Sequence, residues 1–368
     1  MDAQYDYLIV GAGLYGAVFA HEATAAGKRC LVIDKRSHAG GNVYCSQTAG
    51  INVHHYGAHI FHTNDAAIWQ YVNRFVTFNH YVNSPVAISN GKLYNLPFNM
   101  NTFYQLWGTT TPQAAMDIIA TQVAQYGTSS PTNLEEQALS LVGYDVYNTL
   151  IKEYTEKQWG QAATSLPSFI IKRLPLRYTY NNNYFNDAYQ GIPKGGYNVL
   201  INGLLAGIEV RLNVDYFKEK NTYNKQAAKV VYTGKLDEYY EYCYGQLAYR
   251  SLRFAHEVLD TPNYQGNAVV NYINKSVPYT RILEHKHFEF GTQAQTVITK
   301  EYPETWDKTK EAYYPINDAP NQALYKQYSA LASQEVNTIF GGRLAEYKYY
   351  DMHQIIAAAL TAVKKQLQ

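Results

Sequence analysis

Short apolar runs separated by glycine-rich turns predict the first elements of the chain. Tyr7–Val10 is apolar and rich in β-forming residues, and Cys30–Ile33 is a second run of the same kind. Between them lies an Ala-rich segment with helical character, closed by Gly27. A strand, a helix and a strand within about 30 residues predict a βαβ unit with parallel strands.

The turn after the first apolar run carries the motif G-x-G-x-x-G, formed by Gly11, Gly13 and Gly16. The first glycine permits a tight turn, the second lets backbone N–H groups approach a pyrophosphate, and the third lets helix and strand pack closely. Asp34 follows the second run and is expected to accept hydrogen bonds from ribose hydroxyls, while the helix N-terminus attracts the phosphates. This combination predicts dinucleotide binding rather than an ordinary glycine-tolerant helix start.

A second glycine pair, Gly40-Gly41, precedes Asn42 and indicates which dinucleotide is bound. It allows another backbone segment to run close to the cofactor, as in flavoproteins of the glutathione-reductase-like type. Asp34 also disfavours a 2′-phosphate on the ribose, because the two negative charges would repel. The residues therefore favour FAD over NAD.

The remaining patterns alternate between strand-like and helical segments. Residues 78–96 alternate around Asn90-Gly91, which predicts a hairpin, whereas residues 101–171 have helical spacing. Residues 178–189 form a Tyr/Asn tract that we expect to be extended or loop-like. The segment from about 245 to 300 is rich in β-formers and predicts an antiparallel sheet.

The C-terminal segment predicts a second helix end directed at the cofactor. A strand-like Thr338-Ile339-Phe340 runs into Gly341-Gly342-Arg343. Asp351 and Gln354 then form a capping box before apolar residues at helical spacing. We expect the positive end of this helix at the flavin N1/C2 edge, where reduction accumulates negative charge.

These patterns predict an α/β fold: a discontinuous Rossmann-like FAD-binding domain with an inserted helical lobe and an antiparallel β-sheet lobe. The FAD-binding domain is expected at residues 1–78, 191–240 and 305–368. The helical domain is expected at 101–175, with a mobile lid near 166–178, and the sheet domain at 79–100, 176–190 and 241–304.

Composition limits the partners and the compartment. The 368 residues carry a net charge of +1, with 17% charged residues, so neither a nucleic-acid nor a membrane partner is expected. No apolar run approaches the roughly 20 residues that span a bilayer, and Met1-Asp2 offers no basic start for a signal peptide. The three cysteines form no C-x-x-C motif, and a cytoplasmic location is expected.

Four histidines, His54, His55, His59 and His62, lie close together in the chain. Their spacing, without nearby cysteines or paired acids, fits no ordinary zinc site, so no metal is predicted. A neutral imidazole beside a flavin ring is the alternative, and structural roles are expected for His54 and His55.

Several further motifs occur in order along nearly the whole chain. They are YGAHIFHT at Tyr56–Thr63, KQWG at Lys157–Gly160, Arg173 with Asn182–Phe185, YRSL at Tyr249–Leu252, Thr280-Arg281, YYP at Tyr313–Pro315, and Gly342–Leu344 through Tyr349–Met352. With these motifs, the chain resembles the prokaryotic UDP-galactopyranose mutases.

The resemblance implies an isomerase, an intramolecular transferase, that reversibly converts UDP-galactopyranose into UDP-galactofuranose for cell-wall or lipopolysaccharide biosynthesis. It implies FAD that is active when reduced, a cytoplasmic homodimer, and attack of flavin N5 on the anomeric carbon without net redox change. The sequence has no second G-x-G-x-x-G, so a reductant such as NAD(P)H would act without a dedicated domain.

The resemblance also implies roles for individual residues. Arg173 and Arg281 are expected to clamp the diphosphate, because guanidinium groups match phosphate oxygens bidentately; with His59 they form the catalytic set. The substrate-binding residues implied are Asn83, Tyr154, Thr155, Trp159, Arg173, Tyr184, Phe185, Arg250, Asn271, Arg281, Tyr314 and Tyr349. The cofactor-binding residues implied are Gly11, Gly13, Leu14, Gly16, Asp34, Lys35, Gly41, Asn42, His59, Ile60, Arg343, Tyr349, Asp351 and Met352.

Within the implied sites, Tyr154 and Trp159 are expected to line the uracil. Tyr154 stands where the family often has Phe and keeps the stacking face, and Asp34 stands where many relatives have Glu.

Two other functions share parts of the pattern. An amine-oxidase-like FAD oxidoreductase has the same N-terminal fingerprint, although arginines and tyrosines would be an unusual lining for its apolar cage. A non-catalytic sensor of flavin or nucleotide sugar would bind UDP-galactose without forming product.

Overall fold

The computed structural model describes residues 4–171 and 176–368. The strands are β1 (Tyr5–Val10), β2 (Cys30–Ile33), β3 (Cys45–Thr48), β4 (Ile51–His54), β5 (Phe61–Thr63), β6 (Val86–Ser89), β7 (Lys92–Asn95), β8 (Tyr189–Gly191), β9 (Glu209–Arg211), β10 (Ala227–Tyr232), β11 (Tyr249–Leu259), β12 (Val269–Tyr272), β13 (Arg281–Glu284), β14 (Thr296–Thr305), β15 (Tyr314–Pro315) and β16 (Thr338–Phe340). The helices are α1 (Leu14–Ala25), α2 (Ala66–Asn73), α3 (Met100–Trp107), α4 (Pro112–Tyr126), α5 (Leu134–Val146), α6 (Lys152–Trp159), α7 (Tyr197–Leu204), α8 (Lys220–Asn224), α9 (Leu236–Tyr239), α10 (Ala319–Ala332) and α11 (Met352–Leu367).

A parallel sheet in the order β16-β10-β1-β2-β9 forms the first layer. Its strands come from the start, the middle and the end of the chain, which agrees with the predicted Rossmann-like fold. Helices α1, α7 and α11 cover one face, where Val18, Leu200 and Ile356 are buried. Tyr232 and Tyr216 belong to the apolar cluster on the other face. Because both faces are covered, β1 and β2 are nearly continuous apolar runs.

A seven-stranded sheet in the order β15-β11-β14-β13-β12-β6-β7 forms the second layer. All its pairs are antiparallel except β12 with β6. The hairpin predicted at Asn90-Gly91 is confirmed: the two residues have φ angles of 52° and 73°, as two-residue hairpin turns require. The antiparallel sheet predicted near residues 245–300 is confirmed as β11 to β14.

The segment predicted to be helical folds into α3 to α6, with a π-helical turn at Tyr147–Ile151 between α5 and α6. Its core includes Phe103, Val142 and Leu150 and also takes in Ile273, which directly follows β12. The Tyr/Asn tract carries neither helix nor strand until β8 begins, as expected. The helical segment therefore packs directly on the antiparallel sheet, and α6 comes close to β14.

Candidate active site

The glycine turn between β1 and α1 has a shape that requires glycine at two positions. Gly11 has a φ of 111°, and a Cβ added there would lie 2.0 Å from Thr233 Oγ1. A Cβ on Gly16 would lie 2.0 Å from the carbonyl oxygen of Gly11, so α1 packs directly on the turn. Gly13 differs, because a Cβ there would meet only Gly41 Cα, at 3.8 Å. The tight turn expected at Gly11 and the close packing expected at Gly16 therefore match the geometry.

Gly11, Gly13, Asp34, Lys35 and Gly41 line a cavity of about 370 Å³, the cofactor cradle, at the carboxyl ends of β1, β2 and β10. The helix N-terminus opens here, and its first N–H groups are available to an anion. The two glycine segments touch, since a Cβ on Gly41 would lie 3.0 Å from Gly13 Cα. The cradle thus has the backbone approach that a pyrophosphate needs.

Asp34 is buried at the edge of the cradle, where backbone N–H groups hold its carboxylate. Its Oδ2 accepts from the Ala12 N–H at 2.8 Å and its Oδ1 from the Arg36 N–H at 2.9 Å. Each oxygen keeps a second acceptor site for a hydroxyl group. Arg36 and Glu311 were not expected from the sequence, although their side chains pair at 3.0 Å beside the cradle. No local motif indicates this pair, because the two residues lie far apart in the chain.

A second cavity of about 420 Å³, the central cavity, lies between the two sheets and gathers most of the expected cofactor and substrate residues. Those lining it are Asn42, His59, Ile60, Asn83, Tyr154, Tyr184, Phe185, Asn271, Arg281, Tyr314, Arg343, Tyr349, Asp351 and Met352. Asn42 also lines the cofactor cradle, which connects the two cavities. The buried Oδ1 atoms of Asn83 and Asn271 find no hydrogen-bond partner among the described residues. Such acceptors suit a ligand with hydroxyl groups.

His59 faces the central cavity as a neutral imidazole. Burial lowers its pKa to about 4, and the nearby Arg343 guanidinium acts in the same direction. Its Nδ1 lies 2.9 Å from the Gly57 carbonyl oxygen and donates to it. The other ring nitrogen, Nε2, is therefore left as a hydrogen-bond acceptor.

Arg281 extends from β13 into the central cavity and is held by an acidic partner. Its Nε lies 3.2 Å from Glu301 Oε1 on β14, and its Nη2 lies 3.4 Å from the Tyr154 hydroxyl. Burial lowers the pKa of Arg281, but the Glu301 carboxylate outweighs it and raises the pKa above the ordinary value. The guanidinium is therefore a fixed cation. Glu301 was not expected from the sequence, although it lines the same cavity.

Arg281 also lines a larger cleft of about 850 Å³, the anion cleft, together with Arg250, Trp159, Tyr314 and Tyr349. Arg250 donates to the Gln158 carbonyl oxygen at 2.5 Å, and its buried Nε has no partner among the described residues. Burial lowers the pKa of Arg250. Two guanidinium groups and two phenol hydroxyls in one cleft favour a phosphate-bearing ligand. Arg173 and the middle of the expected lid lie outside the described residues.

A cavity of about 440 Å³, the apolar cavity, adjoins α6. Of the expected substrate residues it is lined by Tyr154, Thr155, Trp159, Tyr184 and Asn271. Phe98, Leu150 and Ile170 complete the apolar lining and were not expected from the sequence. Tyr154, Tyr184 and Asn271 also line the central cavity, so the two cavities share a wall. A flat aromatic ring is the ligand group that this lining favours.

The C-terminal helix end is built as predicted. Asp351 caps α11, and the Asp351 N–H donates to Gln354 Oε1 at 2.9 Å. Arg343 donates to the Tyr350 carbonyl oxygen at 2.7 Å, and its guanidinium lies 5.3 Å from the ring centre of Tyr349. The first turn of α11 thereby meets the central cavity. Leu14 and Gly16, also expected at the cofactor, are the first and third residues of α1.

One group of metal-ligating side chains occurs among the described residues, namely His62, Asp351 and His353, with ligand atoms within 4.8 Å of one another. It does not include His54, His55 or His59, the other histidines of the sequence pattern. Two of its members already have partners, since His62 bonds the Asp187 carboxylate and Asp351 caps its own helix, whereas the buried Nδ1 of His353 has none among the described residues. The positive helix end also opposes a cation at this point.

No helix among the described residues combines the length and apolar character that a membrane crossing requires.

A sequence profile described as UDP-galactopyranose mutase matches residues 149–349, which is more than half of the chain. A second profile, an NAD(P)-binding Rossmann-like domain, matches residues 9–75. The probable UDP-galactopyranose mutase of Klebsiella pneumoniae is 40% identical over 96% of this chain and 92% of its own. The dTDP-fucopyranose mutase of Escherichia coli is 37% identical over 96% of both chains.

Solved structures share the fold. A crystal structure of reduced UDP-galactopyranose mutase superposes with a TM-score of 0.76 at 13% identity, covering 99% of this chain and 95% of the other. Wild-type putrescine oxidase bound to putrescine reaches 0.56 at 13% identity, covering 99% of each chain. Both likenesses are of fold alone, and the amine-oxidase alternative is not favoured because the profile and the sequence relatives are mutases. The Rossmann-like profile indicates a dinucleotide cofactor. From the profile match and the two mutases, the chain belongs to the UDP-galactopyranose mutase family of isomerases.

Proposed function

We propose that this protein interconverts UDP-galactopyranose and UDP-galactofuranose and that its cofactor is FAD in the reduced state. One observation carries the proposal: three cavities share their walls. The cofactor cradle meets the central cavity at Asn42, and the central cavity meets the apolar cavity at Tyr154, Tyr184 and Asn271. A dinucleotide, a sugar and a nucleobase therefore have adjoining places, in that order.

The cofactor fits the residues that would hold it. Gly11, Gly13, Leu14, Gly16 and Gly41 would bring the backbone and the α1 N-terminus to the pyrophosphate, and Asp34 and Lys35 would contact the adenosine ribose. The ring-side residues are Asn42, His59, Ile60, Arg343, Tyr349, Asp351 and Met352. Reduced flavin, when bound, supplies a nucleophilic nitrogen for the anomeric carbon of the sugar.

The remaining task of the chain is to hold the nucleotide sugar in place. Arg281 is charged and anchored by Glu301, so its guanidinium would bind the diphosphate without first being ordered. Arg250 adds a second guanidinium in the anion cleft. The hydroxyls of Tyr184, Tyr314 and Tyr349 would bind further phosphate oxygens, and Arg173 is proposed as the third cationic group.

The sugar and the nucleobase would be held by different residues. Asn83 and Asn271 have buried amide oxygens without partners among the described residues, and these would accept from sugar hydroxyls. Phe185 lines the same cavity. Tyr154 and Trp159 would stack on the uracil ring, with Thr155 beside them, at about 1–3 kcal/mol per base. Neutral His59 would present its Nε2 as an acceptor to the cofactor or the sugar.

The proposal extends to the setting of the reaction. We propose that the protein is a cytoplasmic homodimer that supplies furanose donors for cell-wall or lipopolysaccharide biosynthesis, with NAD(P)H as reductant. We propose that residues 1–78, 191–240 and 305–368 form the FAD-binding domain. Residues 101–175 would form the helical domain, and residues 79–100, 176–190 and 241–304 the sheet domain.

The likeness to the dTDP-fucopyranose mutase favours a second candidate substrate. The same ring contraction on a dTDP-linked sugar would place thymine in the apolar cavity and a 6-deoxy sugar in the central cavity. Thymine differs from uracil by one methyl group, which an apolar wall discriminates only weakly. Both substrates must therefore be tested.

The experiment incubates purified, flavin-containing protein anaerobically with UDP-galactose or with dTDP-fucose, with and without dithionite, and separates the nucleotide sugars by chromatography. We expect furanose product from UDP-galactose only in the dithionite-reduced sample. Product from dTDP-fucose alone would assign the second candidate. Equal conversion with oxidised flavin, or none from either substrate, would contradict the proposal.

A further inference from the structure

Lys157 belongs to the KQWG motif, yet its side chain does not line the active-site cavities described above. It lies on α6 between Tyr154 and Trp159, the two aromatic residues of the apolar cavity. Its side chain turns toward the connection between β12 and β13. The motif thus contains one residue whose role is not explained by ligand contact.

The Lys157 ammonium donates to four backbone carbonyl oxygens, one at the last residue of β12 and three within this connection. The distances from Nζ are 2.6 Å to Tyr272, 3.0 Å to Asn274, 3.0 Å to Val277 and 2.9 Å to Tyr279. An ammonium has three protons, so at least one is shared between two acceptors. Carbonyl dipoles, rather than a carboxylate, surround the charge, and the lysine fixes the path of the whole connection.

Two acidic residues of the same helix contact the same connection. Glu153 Oε2 accepts from the Lys275 N–H at 2.7 Å, and Glu156 Oε2 lies 2.6 Å from Lys275 Nζ. Lys275 is more than half exposed, so its ion pair contributes little. Lys157 therefore makes the largest set of contacts between α6 and this connection.

The two ends of the connection carry expected substrate residues. Asn271 lies on β12 just before it, and Arg281 is the first residue of β13 just after it. The two residues are also paired in the β12–β13 register. A shift of the connection relative to α6 would therefore change the separation between Arg281 and Asn271 on one side and Tyr154 and Trp159 on the other.

We propose that Lys157 is a positioning residue for substrate binding: it locks the β12–β13 connection to α6 and so sets the distance between the diphosphate-binding Arg281 and the nucleobase-binding Tyr154 and Trp159. This inference rests on the proposed function, because it assumes that these residues bind the two ends of a nucleoside diphosphate. Such a ligand spans both sides of the lock, so its affinity reports their spacing.

The charge state of Lys157 provides a readout that a merely structural role would not move. Burial lowers its pKa to about 8, and Glu153 on the same helix opposes this shift. The titratable residues that face Lys157 from the connection and from the end of β12 are Lys275, Tyr272 and Tyr279. The four carbonyl dipoles favour the ammonium, so the lock is intact at neutral pH and weakens in the alkaline range.

The test measures UDP binding to the oxidised, flavin-containing protein from the change in flavin absorbance, so that it does not depend on turnover. We expect Lys157→Met to raise the Kd for UDP about tenfold or more at neutral pH, with flavin content unchanged. Lys275→Met, on the same connection, should change it less than about twofold. An unchanged Kd in Lys157→Met would overturn the inference.

Lys157→Arg tests whether the positive charge at this position is required for UDP binding. It also keeps the proposal testable if Lys157→Met does not fold. Arginine keeps the charge throughout the alkaline range. We expect UDP binding by the wild type to weaken as pH rises past about 8, and binding by Lys157→Arg to lose this dependence. The comparison also cancels ionisation of the uracil. The same alkaline loss in both proteins would overturn the inference. If the wild type binds no UDP, the proposed function fails together with the positioning role. If the wild type converts UDP-galactose but the Lys157 variants bind UDP with the same Kd and pH dependence as the wild type, only the positioning role fails.

Discussion

Burial keeps His54 neutral deep in the molecule, beneath the wall that carries His59. It is 1% exposed, stacks on Phe288, and accepts from the His59 N–H at Nδ1. Burial lowers its pKa to about 3, whereas an unfolded histidine titrates near 6.5. An imidazole that resists protonation in the folded state links stability to pH.

The direction of this linkage follows from the lowered pKa. Above about pH 6.5 both states are neutral, and His54 contributes nothing to the pH dependence. Below that pH His54 is protonated in the unfolded chain but stays neutral in the folded chain. The free energy of unfolding therefore decreases, by about 3 kcal/mol near pH 4. We expect His54→Asn, which keeps an acceptor for His59, to flatten the dependence by that amount. Urea unfolding between about pH 7.5 and 4.5 measures it; His80→Asn, at the surface, should keep the wild-type slope.

Arg281 is expected to carry a large share of the diphosphate affinity. Loss of a charge-assisted contact worth about 1.5–3 kcal/mol, in Arg281→Ala, should lower kcat/KM about 10- to 150-fold. Arg281→Lys keeps a positive charge beside Glu301 but loses the bidentate guanidinium. Its kcat/KM should therefore lie between those of the wild type and Arg281→Ala. Steady-state kinetics with reduced enzyme measures both.

Arg253 provides the matched control for that experiment. It lies on the same sheet, is more than half exposed, and pairs with Glu304 at 3.2 Å. Arg253→Ala should leave kcat/KM within about twofold of the wild type. Equal losses in the two alanine variants would show that general charge, not the anchored guanidinium, controls binding.

Arg281 could be expected from its motif, whereas Glu301 could not. The two become partners only because the β13–β14 register sets them directly opposite each other. Register depends on pairing between segments that are distant in sequence, so no local pattern contains it. Local capping is different: Asp351 and Gln354 are three residues apart, and the capping box they predict is present.

At the scale of the element, the turn between β1 and α1 allows the fold and the cofactor site to be tested separately. A Cβ on Gly16 would overlap the Gly11 carbonyl oxygen, whereas a Cβ on Gly13 would point past Gly41 without overlap. Gly16→Ala must therefore push α1 away from β1, and Gly13→Ala need not. Gly13 has a φ of −76°, which alanine adopts without strain.

We expect Gly13→Ala to fold with a wild-type melting temperature and to retain little flavin, because its methyl group enters the cofactor cradle. Gly16→Ala should lower the melting temperature by several degrees, since overpacking costs about 1–3 kcal/mol. Thermal melts by circular dichroism and the ratio of flavin to protein absorbance separate the two effects. Full flavin content in a stable Gly13→Ala protein would contradict the assignment of the cradle.

At the scale of the molecule, the parallel or antiparallel character of the two sheets could be predicted from the sequence. The order in which distant strands pair could not. The apolar runs and glycine turns predicted a parallel sheet, and the later segment rich in β-formers predicted an antiparallel one. The parallel pairing of β6 with β12 joins residues 86–88 to 270–272, and nothing in either segment specifies it. The shared walls of the three cavities follow from this arrangement, so they too needed the folded chain.

The arrangement also separates the proposed nucleobase site from the cofactor cradle. The cofactor cradle lies at the ends of β1, β2 and β10, while the apolar cavity lies against α6, and no lining residue is common to the two. The residues proposed to bind the nucleobase belong to the helical segment and the antiparallel sheet, so we expect their geometry not to depend on the cradle being filled. Removing the flavin should therefore abolish isomerisation while leaving the affinity for UDP within about tenfold of its value in the flavin-containing protein. Isothermal titration of UDP into flavin-stripped protein measures this affinity, and adding FAD back should restore the reaction. If the stripped protein keeps its circular dichroism spectrum but binds no UDP, the flavin forms part of the nucleotide site, and the separation between cradle and apolar cavity has no functional meaning.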